Sequence, residues 1–281
     1  MPGTLFVVAT PIGNLEDITA RALRVLAEVS LIAAEDTRRT AHLLTRYAIV
    51  TPTTSLHEHN EAAKSASIVA RLERGDSVAL VSDAGTPAIS DPGQRLIRGA
   101  IDAGIRVEAV PGPNAAVAAL AASGLPSDAF TFLGFPPIRS NDRSMWLANL
   151  RSAGRTVVFY EAPHRIRQTL DQILATIGDC QVAVGRELTK THEEWVRGPI
   201  SEVLQRLTNP IGEFTIVADI GRMTASVSAE PVVDVDLLRE FGYMTSSEHL
   251  TRRQAITAIA RKYRLPPNRV YDVIERAKKC G

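Results

Sequence analysis

The stretch Val81 to Gly93, VSDAGTPAISDPG, is the part of this 281-residue chain best suited to hold a small ligand. A buried apolar run ends there in a sharp turn. Gly85 lets the backbone approach a ligand closely, and Thr86-Pro87 stiffens the turn. Asp83 and Asp91 supply carboxylates that can accept hydrogen bonds from hydroxyls or an amine. In open α/β sheets ligands collect beyond the carboxyl ends of the strands, where backbone N–H groups are exposed. Carboxylates in the turn disfavour a phosphate and suit a zwitterion or a cation. Neither G-x-G-x-x-G nor a phosphate loop ending in G-K-[ST] occurs in the chain. Two more loops have the same character: Thr10-Pro11-Ile12-Gly13-Asn14 and Val110-Pro111-Gly112-Pro113-Asn114. Any one of them alone is ordinary punctuation between a strand and a helix. Three, each following a strand, would line one edge of a sheet.

Titratable residues gather twice more. FYEAPHR puts Glu161, His164 and Arg165 just past an apolar run. GRELTKTHEE offers Arg186, Glu187, Lys190, His192, Glu193 and Glu194. Such a cluster is either proton-transfer apparatus or a solvated set of ion pairs at a strand end. Cys180 and Cys280 lie far apart with no Cys or His at metal-ligand spacing, so a zinc site or disulfide framework is not expected.

The elements that must position these residues alternate in type. Leu5 to Ala9, Leu31 to Ala34, Ser77 to Ser82 and Arg106 to Val110 read as strands. Ile18 to Val29 and Asn60 to Arg74 read as helices. A further helix is expected from Ser90 or Asp91, with Pro92 in its first turn and Gly104 closing it. This alternation predicts an α/β domain with a mostly parallel sheet. Helix Asn114 to Ser123 leads out of it. Phe130 to Leu133, Thr156 to Tyr160, Gln181 to Val184 and Phe214 to Asp219 form a second strand set, with one long helix at Pro163 to Ile177. Hairpins among them predict a mixed sheet. Arg139, Arg143, Arg151 and Arg155 fall in a stretch read as a loop, together with Trp146. The expected division is residues 1–115 and 116–222 as two α/β domains, 223–235 as a linker and 236–281 as a small all-helical unit.

Composition is that of an ordinary globular protein, 45% hydrophobic and 22% charged. No apolar run reaches membrane-spanning length, and Met1-Pro2-Gly3 does not open a signal peptide, so a cytoplasmic location is expected. Net charge is +1, but Leu250 to Gly281 has nine basic residues against two acidic. That segment therefore carries +7 and leaves −6 for the other 249 residues. A basic tail on a near-neutral body fits an anionic polymer as partner; a solvated amphipathic helix fits equally on charge alone.

The ordered set TPIGN, AAEDTRRT, VSDAGTPAISDPG, VPGPNA, FYEAPHR, GRELTKTHEE and GEFTIVADI resembles the tetrapyrrole-methylase superfamily. Within it the chain is most similar to the branch that methylates a cytidine ribose of 16S ribosomal RNA. The resemblance runs from Leu5 to about Ile220. It implies two α/β domains around a non-Rossmann cleft for S-adenosylmethionine, and no metal. It places Pro11, Ala84, Gly85, Thr86, Ile89, Asn114, Ala115, Glu161, Leu188, Glu213, Phe214 and Thr215 at the cofactor, and Asp83 and Pro87 of the same loop join them by their position in it. Porphyrinoid methylases usually read Gly-Asp-Pro where this chain has Gly85-Thr86-Pro87, which lowers the odds of a porphyrinoid substrate.

The implied activity is 2′-O-methylation of a cytidine near the decoding site of the small ribosomal subunit, by a homodimer. Lys190 and Glu193 become candidates to act near the acceptor hydroxyl, with an ion-pair cluster as the alternative. Arg38, Arg39, Arg139, Arg143, His164, Arg165, Arg252, Arg253 and Arg269 are candidates to meet RNA, the last three on a tail resembling a helix-turn-helix. Two rivals remain: a methylase of a porphyrinoid or other small molecule, and an RNA-binding protein without catalysis.

Overall fold

The structure is a computed structural model that describes residues 1–208, 210–221, 234–246, 250–262 and 267–279, with side chains in the last three segments from 237 to 245, 250 to 260 and 270 to 277. It divides into two compact units, Met1–Arg222 and Met223–Gly281.

In the first unit, β1 (Thr4–Val8), β2 (Leu31–Ala34), β3 (Thr53–Ser55), β4 (Val78–Val81) and β5 (Arg106–Val110) form a parallel sheet in the order β3-β2-β4-β1-β5. Alternate strand residues point to opposite faces, so both faces can be covered. Val8, Ile32, Ala34, Ala79, Val81 and Val110 pack with α1 (Ala20–Glu28) and α2 (Thr37–Arg46). Leu5, Leu31, Ala33, Val78 and Leu80 pack on the other face with α3 (Glu61–Glu73) and α4 (Gln94–Asp102). The β1, β4 and β5 loops thus leave three neighbouring strands at one edge, as expected.

Helix α5 (Ala115–Ser123), capped by the Asn114 side chain, leads to a second sheet of β6 (Phe130–Phe132), β7 (Thr156–Glu161), β8 (Gln181–Arg186), β9 (Glu194–Pro199) and β10 (Phe214–Asp219). Its order is β6-β7-β10-β8-β9, with only the β6–β7 pair parallel, so the mixed sheet is present. On one face lie α6 (Ser140–Ala153), α7 (Ile166–Ile177) and α8 (Ile200–Arg206). The other face is covered by Ala116, Ala119 and Leu120 of α5, with Ile12 from the β1 loop packed against the same cluster.

Two expectations need correction. Residues 139–155 are not a loop: Ser140–Ala153 is a helix whose inward face carries Arg143, Trp146 and Leu150, and the polar surroundings mask that periodicity. Helix α4 does not start at Ser90 or Asp91. Ala88 and Ser90 have φ of 66° and 65°, so the chain stays non-helical until Gly93, the N-cap at φ 128°. The capping oxygen comes from a distant residue: the buried Glu61 Oε1 accepts from the N–H groups of Gly93 at 3.0 Å and Arg95 at 2.8 Å.

In the second unit α9 (Asp234–Ser246), α10 (Arg252–Lys262) and α11 (Pro267–Lys279) pack around Leu237, Ile259, Val270, Val273 and Ile274. Pro267 opens α11, where its missing N–H costs nothing. Residues 223–233 of the expected linker lie outside the described residues, and 234–235 already belong to α9.

Candidate active site at the edge of two sheets

The loops at the carboxyl edge of the first sheet are tied to one another. Thr10 and Gly85 exchange backbone hydrogen bonds of 2.8 and 3.0 Å, and Thr10 Oγ1 donates to the Ser82 carbonyl. Thr86 Oγ1 donates to the Pro113 carbonyl at 3.3 Å, while Asn114 Oδ1 accepts from the Ala116 and Val117 N–H groups. Gly85 has φ of 83°, and a Cβ there would stand 3.4 Å from Ile12 Cγ2. Glycine adopts that φ without the strain a side chain would bring.

These loops wall a cavity of about 470 Å³ that the second lobe completes, a size within the roughly 300–1,000 Å³ of small-molecule sites. Of the residues the sequence assigned to a cofactor, Asp83, Ala84, Gly85, Thr86, Ile89, Asn114, Ala115, Glu161, Leu188, Glu213, Phe214 and Thr215 all line it. Pro11 and Pro87 do not; their neighbours Ile12 and Thr86 do. Sequence reasoning missed Glu35, Tyr160 and Phe135 on this wall, and Asp91 had only been noted as an acceptor in the turn. Their signal was position alone: Glu35 follows β2 as Asp83 follows β4, at the same sheet edge.

The cavity is acidic. Asp83 Oδ1 accepts from the Asp36 N–H at 3.0 Å, and Arg39 Nη1 lies 3.6 Å from Asp83 Oδ2. Glu35 Oε2 accepts from the Asp83 N–H at 3.2 Å. Burial, with the neighbouring charge of Asp83, raises Glu35 above the usual carboxylate range despite that N–H. Burial and the charges of Glu35 and Asp83 push Asp91 up to about 6. Such a set suits a ligand carrying positive charge, and Ile12, Ile89, Phe135 and Leu188 add apolar surface for a ring or alkyl chain.

The second-lobe clusters resolve differently. Glu161 ends β7 with its carboxylate fully buried, 3.3 Å from Arg165 Nε and 3.9 Å from Arg143 Nη1, and accepting from Thr169 Oγ1. Arg143 also donates to Gln172 and the Pro137 carbonyl, and Arg165 to the Pro136 carbonyl. Both arginines therefore neutralise an interior carboxylate. The expectation that they meet RNA is corrected for Arg143, which is only 8% exposed, and for Arg165, whose guanidinium serves the same cage.

Lys190 Nζ donates to Glu187 Oε1 and Glu213 Oε2, both at 3.0 Å. Burial opposes its charge, but the two carboxylates overcome that and hold the ammonium above its ordinary pKa. It packs over the β1 loop: a Cβ on Gly13 would fall 2.5 Å from Lys190 Cγ. Glu193 uses both oxygens, accepting from the Thr189 N–H at 2.7 Å and from Trp195 Nε1 at 3.0 Å. Neither residue lines the cavity, although Glu213, which holds Lys190, does.

Among the remaining RNA candidates, Arg38, Arg139, His164 and Arg253 are exposed, and Arg38 chelates Asp36 at 2.8 Å. Arg39 lines the cavity. Arg252 is paired with Glu275 and lies over the Tyr271 ring. The Arg269 side chain is outside the described residues. Among the described residues no cluster of three or more His, Cys, Asp or Glu is placed to hold a metal, and no helix is long and apolar enough to cross a membrane.

The family described as Tetrapyrrole (Corrin/Porphyrin) Methylases matches residues 4–204, and the chain belongs to it. Its fold is shared by uroporphyrin-III-C-methyltransferase from Thermus thermophilus (TM-score 0.54, 21% identity, 78% of this chain and 94% of that one) and by a diphthine synthase (TM-score 0.60, 14% identity, 77% and 90%). More similar in sequence are proteins named ribosomal RNA small subunit methyltransferase I. That of Synechocystis sp. is 41% identical over 96% of this chain and 97% of its own length, and that of Haemophilus influenzae 40% over 97% and 96%.

Proposed function

We propose that this chain uses S-adenosylmethionine to methylate the ribose 2′-hydroxyl of a cytidine in 16S ribosomal RNA, near the decoding site of the small subunit. The observation that carries the reading is the extent of similarity. The fold relatives that act on uroporphyrin cover 78% of the chain, close to the share taken by residues 1–222. Two of the ribosomal RNA methyltransferases, those of Synechocystis sp. and Haemophilus influenzae, match 96% and 97% of the chain, so in these two the likeness continues into the basic helical unit. Such a unit supplies phosphate contacts, which give affinity and orientation.

The cavity fits the cofactor. Ala84 to Thr86, Asn114-Ala115 and Glu213 to Thr215 would hold it, with the carboxylates of Asp83 and Glu35 near its positive groups. When bound, it supplies an electrophilic methyl group on a sulfonium. The chain's own contribution is to bring the acceptor hydroxyl into line and to exclude water. Lys190 acts on the acceptor side as a fixed cation, kept protonated by Glu187 and Glu213, and Glu193 braces the loop that carries it. Arg38, Arg39, Arg139, His164 and Arg253 contact the RNA. The working form is a homodimer, located in the cytoplasm with the ribosome.

The test is methyl transfer from labelled S-adenosylmethionine to 30S subunits, naked 16S RNA and a porphyrinoid in parallel, followed by mapping of the label. Label on one cytidine ribose is the expected result. Label in the porphyrinoid alone overturns the reading.

A further inference from the structure

Five carboxylates stand around the cavity besides Asp91's own, counting the caged Glu161 and the salt-bridged Glu187 behind Glu213, and each is already engaged. Glu161 is held by two arginines, Glu213 and Glu187 by Lys190, Asp83 by the Asp36 N–H and Arg39, and Glu35 by the Asp83 N–H. Among the described residues Asp91 has neither a cation nor a backbone N–H on it; its partner is the Ser82 hydroxyl. The loop that carries it is built at a cost. Ala88 and Ser90 are left-handed, Gly93 has φ of 128°, and the buried Glu61 pins the end of the loop. Backbone strain that the surroundings enforce is characteristic of pre-organised sites.

We propose that Asp91 is the catalytic residue that takes the proton from the acceptor hydroxyl, an inference that rests on the methyl-transfer reading above. As the hydroxyl oxygen bonds to the methyl carbon, the carbon–sulfur bond breaks and its electron pair stays on sulfur. The O–H bond breaks too, and its proton passes to the Asp91 carboxylate. A cation and an anion are thereby replaced by a neutral thioether and a neutral carboxylic acid, a change favoured where water is excluded. The proton returns to solvent when the products leave. The charged and titratable groups facing Asp91 are Glu35 at the end of β2, Arg39 of α2, Asp83 after β4 and Tyr160 of β7. Burial and the two acids raise Asp91 to about 6, which brings it nearer the neutral range where a general base works best.

The full-length protein, Asp91→Asn and Asp91→Glu are compared on the RNA substrate from about pH 5 to about pH 8.5, bracketing the range in which such a base titrates. Binding of S-adenosylmethionine is measured by calorimetry in the same buffers. The expected result is a wild-type kcat that falls below about pH 6, and a loss of roughly 10²–10⁴-fold in the Asn variant with that acid limb gone. The Glu variant recovers part of the rate, and cofactor affinity changes by less than about threefold, well under the tenfold that 1.4 kcal/mol represents. An Asn variant as active as wild type overturns the inference alone. So does a loss that saturating cofactor restores, which would make Asp91 a cofactor ligand. A wild type inactive on every RNA overturns this inference together with the reading it rests on.

Discussion

Around the cavity, burial raises Asp91 and Glu35 above the usual carboxylate range, whereas the backbone N–H of Glu213, ahead of the Lys190 contact, holds Glu187 below it. For Asp91 the consequence for stability has a definite sign. Its carboxyl binds a proton more readily folded than unfolded, so its ionised form disfavours folding at pH values above about 6, and that penalty fades as pH falls toward its ordinary value of 3.8. Asp91→Asn is therefore expected to melt above wild type at neutral pH, with the gap closing as the solution is acidified; thermal denaturation across that window checks it. A gap that widened on acidification would contradict the assignment. Lys190 behaves oppositely, since two carboxylates keep it protonated. Lys190→Met should slow single-turnover transfer by about tenfold, the size of one charge-assisted contact. The pH at which the acid limb falls should stay unchanged, because that limb belongs to another group.

The elements hold the reactive loops by connections that run far along the chain. Glu61, the first residue of α3, caps α4 through the N–H groups of Gly93 and Arg95. Glu61→Ala removes both bonds at once in a buried place and is expected to cost about 2 kcal/mol, read from the urea unfolding midpoint. Because Gly93 closes the Asp91 loop, the same variant should lose methyl transfer more than cofactor binding. Sequence periodicity showed strands β1, β2, β4, β5 and β10 nearly residue for residue, since their apolar runs end sharply, in turns containing Gly or Pro or, for β2, at Glu35-Asp36. It did not show α2, whose inward face is only Thr40, Leu43 and Leu44. Nor did it show α6, where a buried arginine occupies a position that periodicity expects to be apolar. The cap on α4 was out of reach for a different reason: its acceptor lies 32 residues earlier.

Across the chain, α5 carries the link between lobes, starting at the loop edge of the first sheet and packing its alanines on the second. Small side chains let it lie close to β7, β8 and β10, so the two lobes share the cavity wall. The helical unit is a body with its own core, and its charge is its distinguishing feature. With Arg253 exposed on α10, Arg253→Glu is expected to weaken RNA binding and reduce the slope of log affinity against log salt by about one. Filter binding across a salt series checks this, and an unchanged slope would remove Arg253 from the phosphate contacts.

By itself the sequence determined the class of fold and the three loops at one sheet edge, and its likeness to the family named most of the residues that line the cavity. Those depend on local signals: apolar runs, Gly/Pro turns and the order of motifs. Only the tertiary structure decided which charged side chains are available. Arg143 and Arg165 turned out to be consumed by Glu161, Lys190 by Glu187 and Glu213, and Asp91 was left without a cation. The availability of a charge is set by burial and by partners distant in the chain, and neither is written in the spacing of residues.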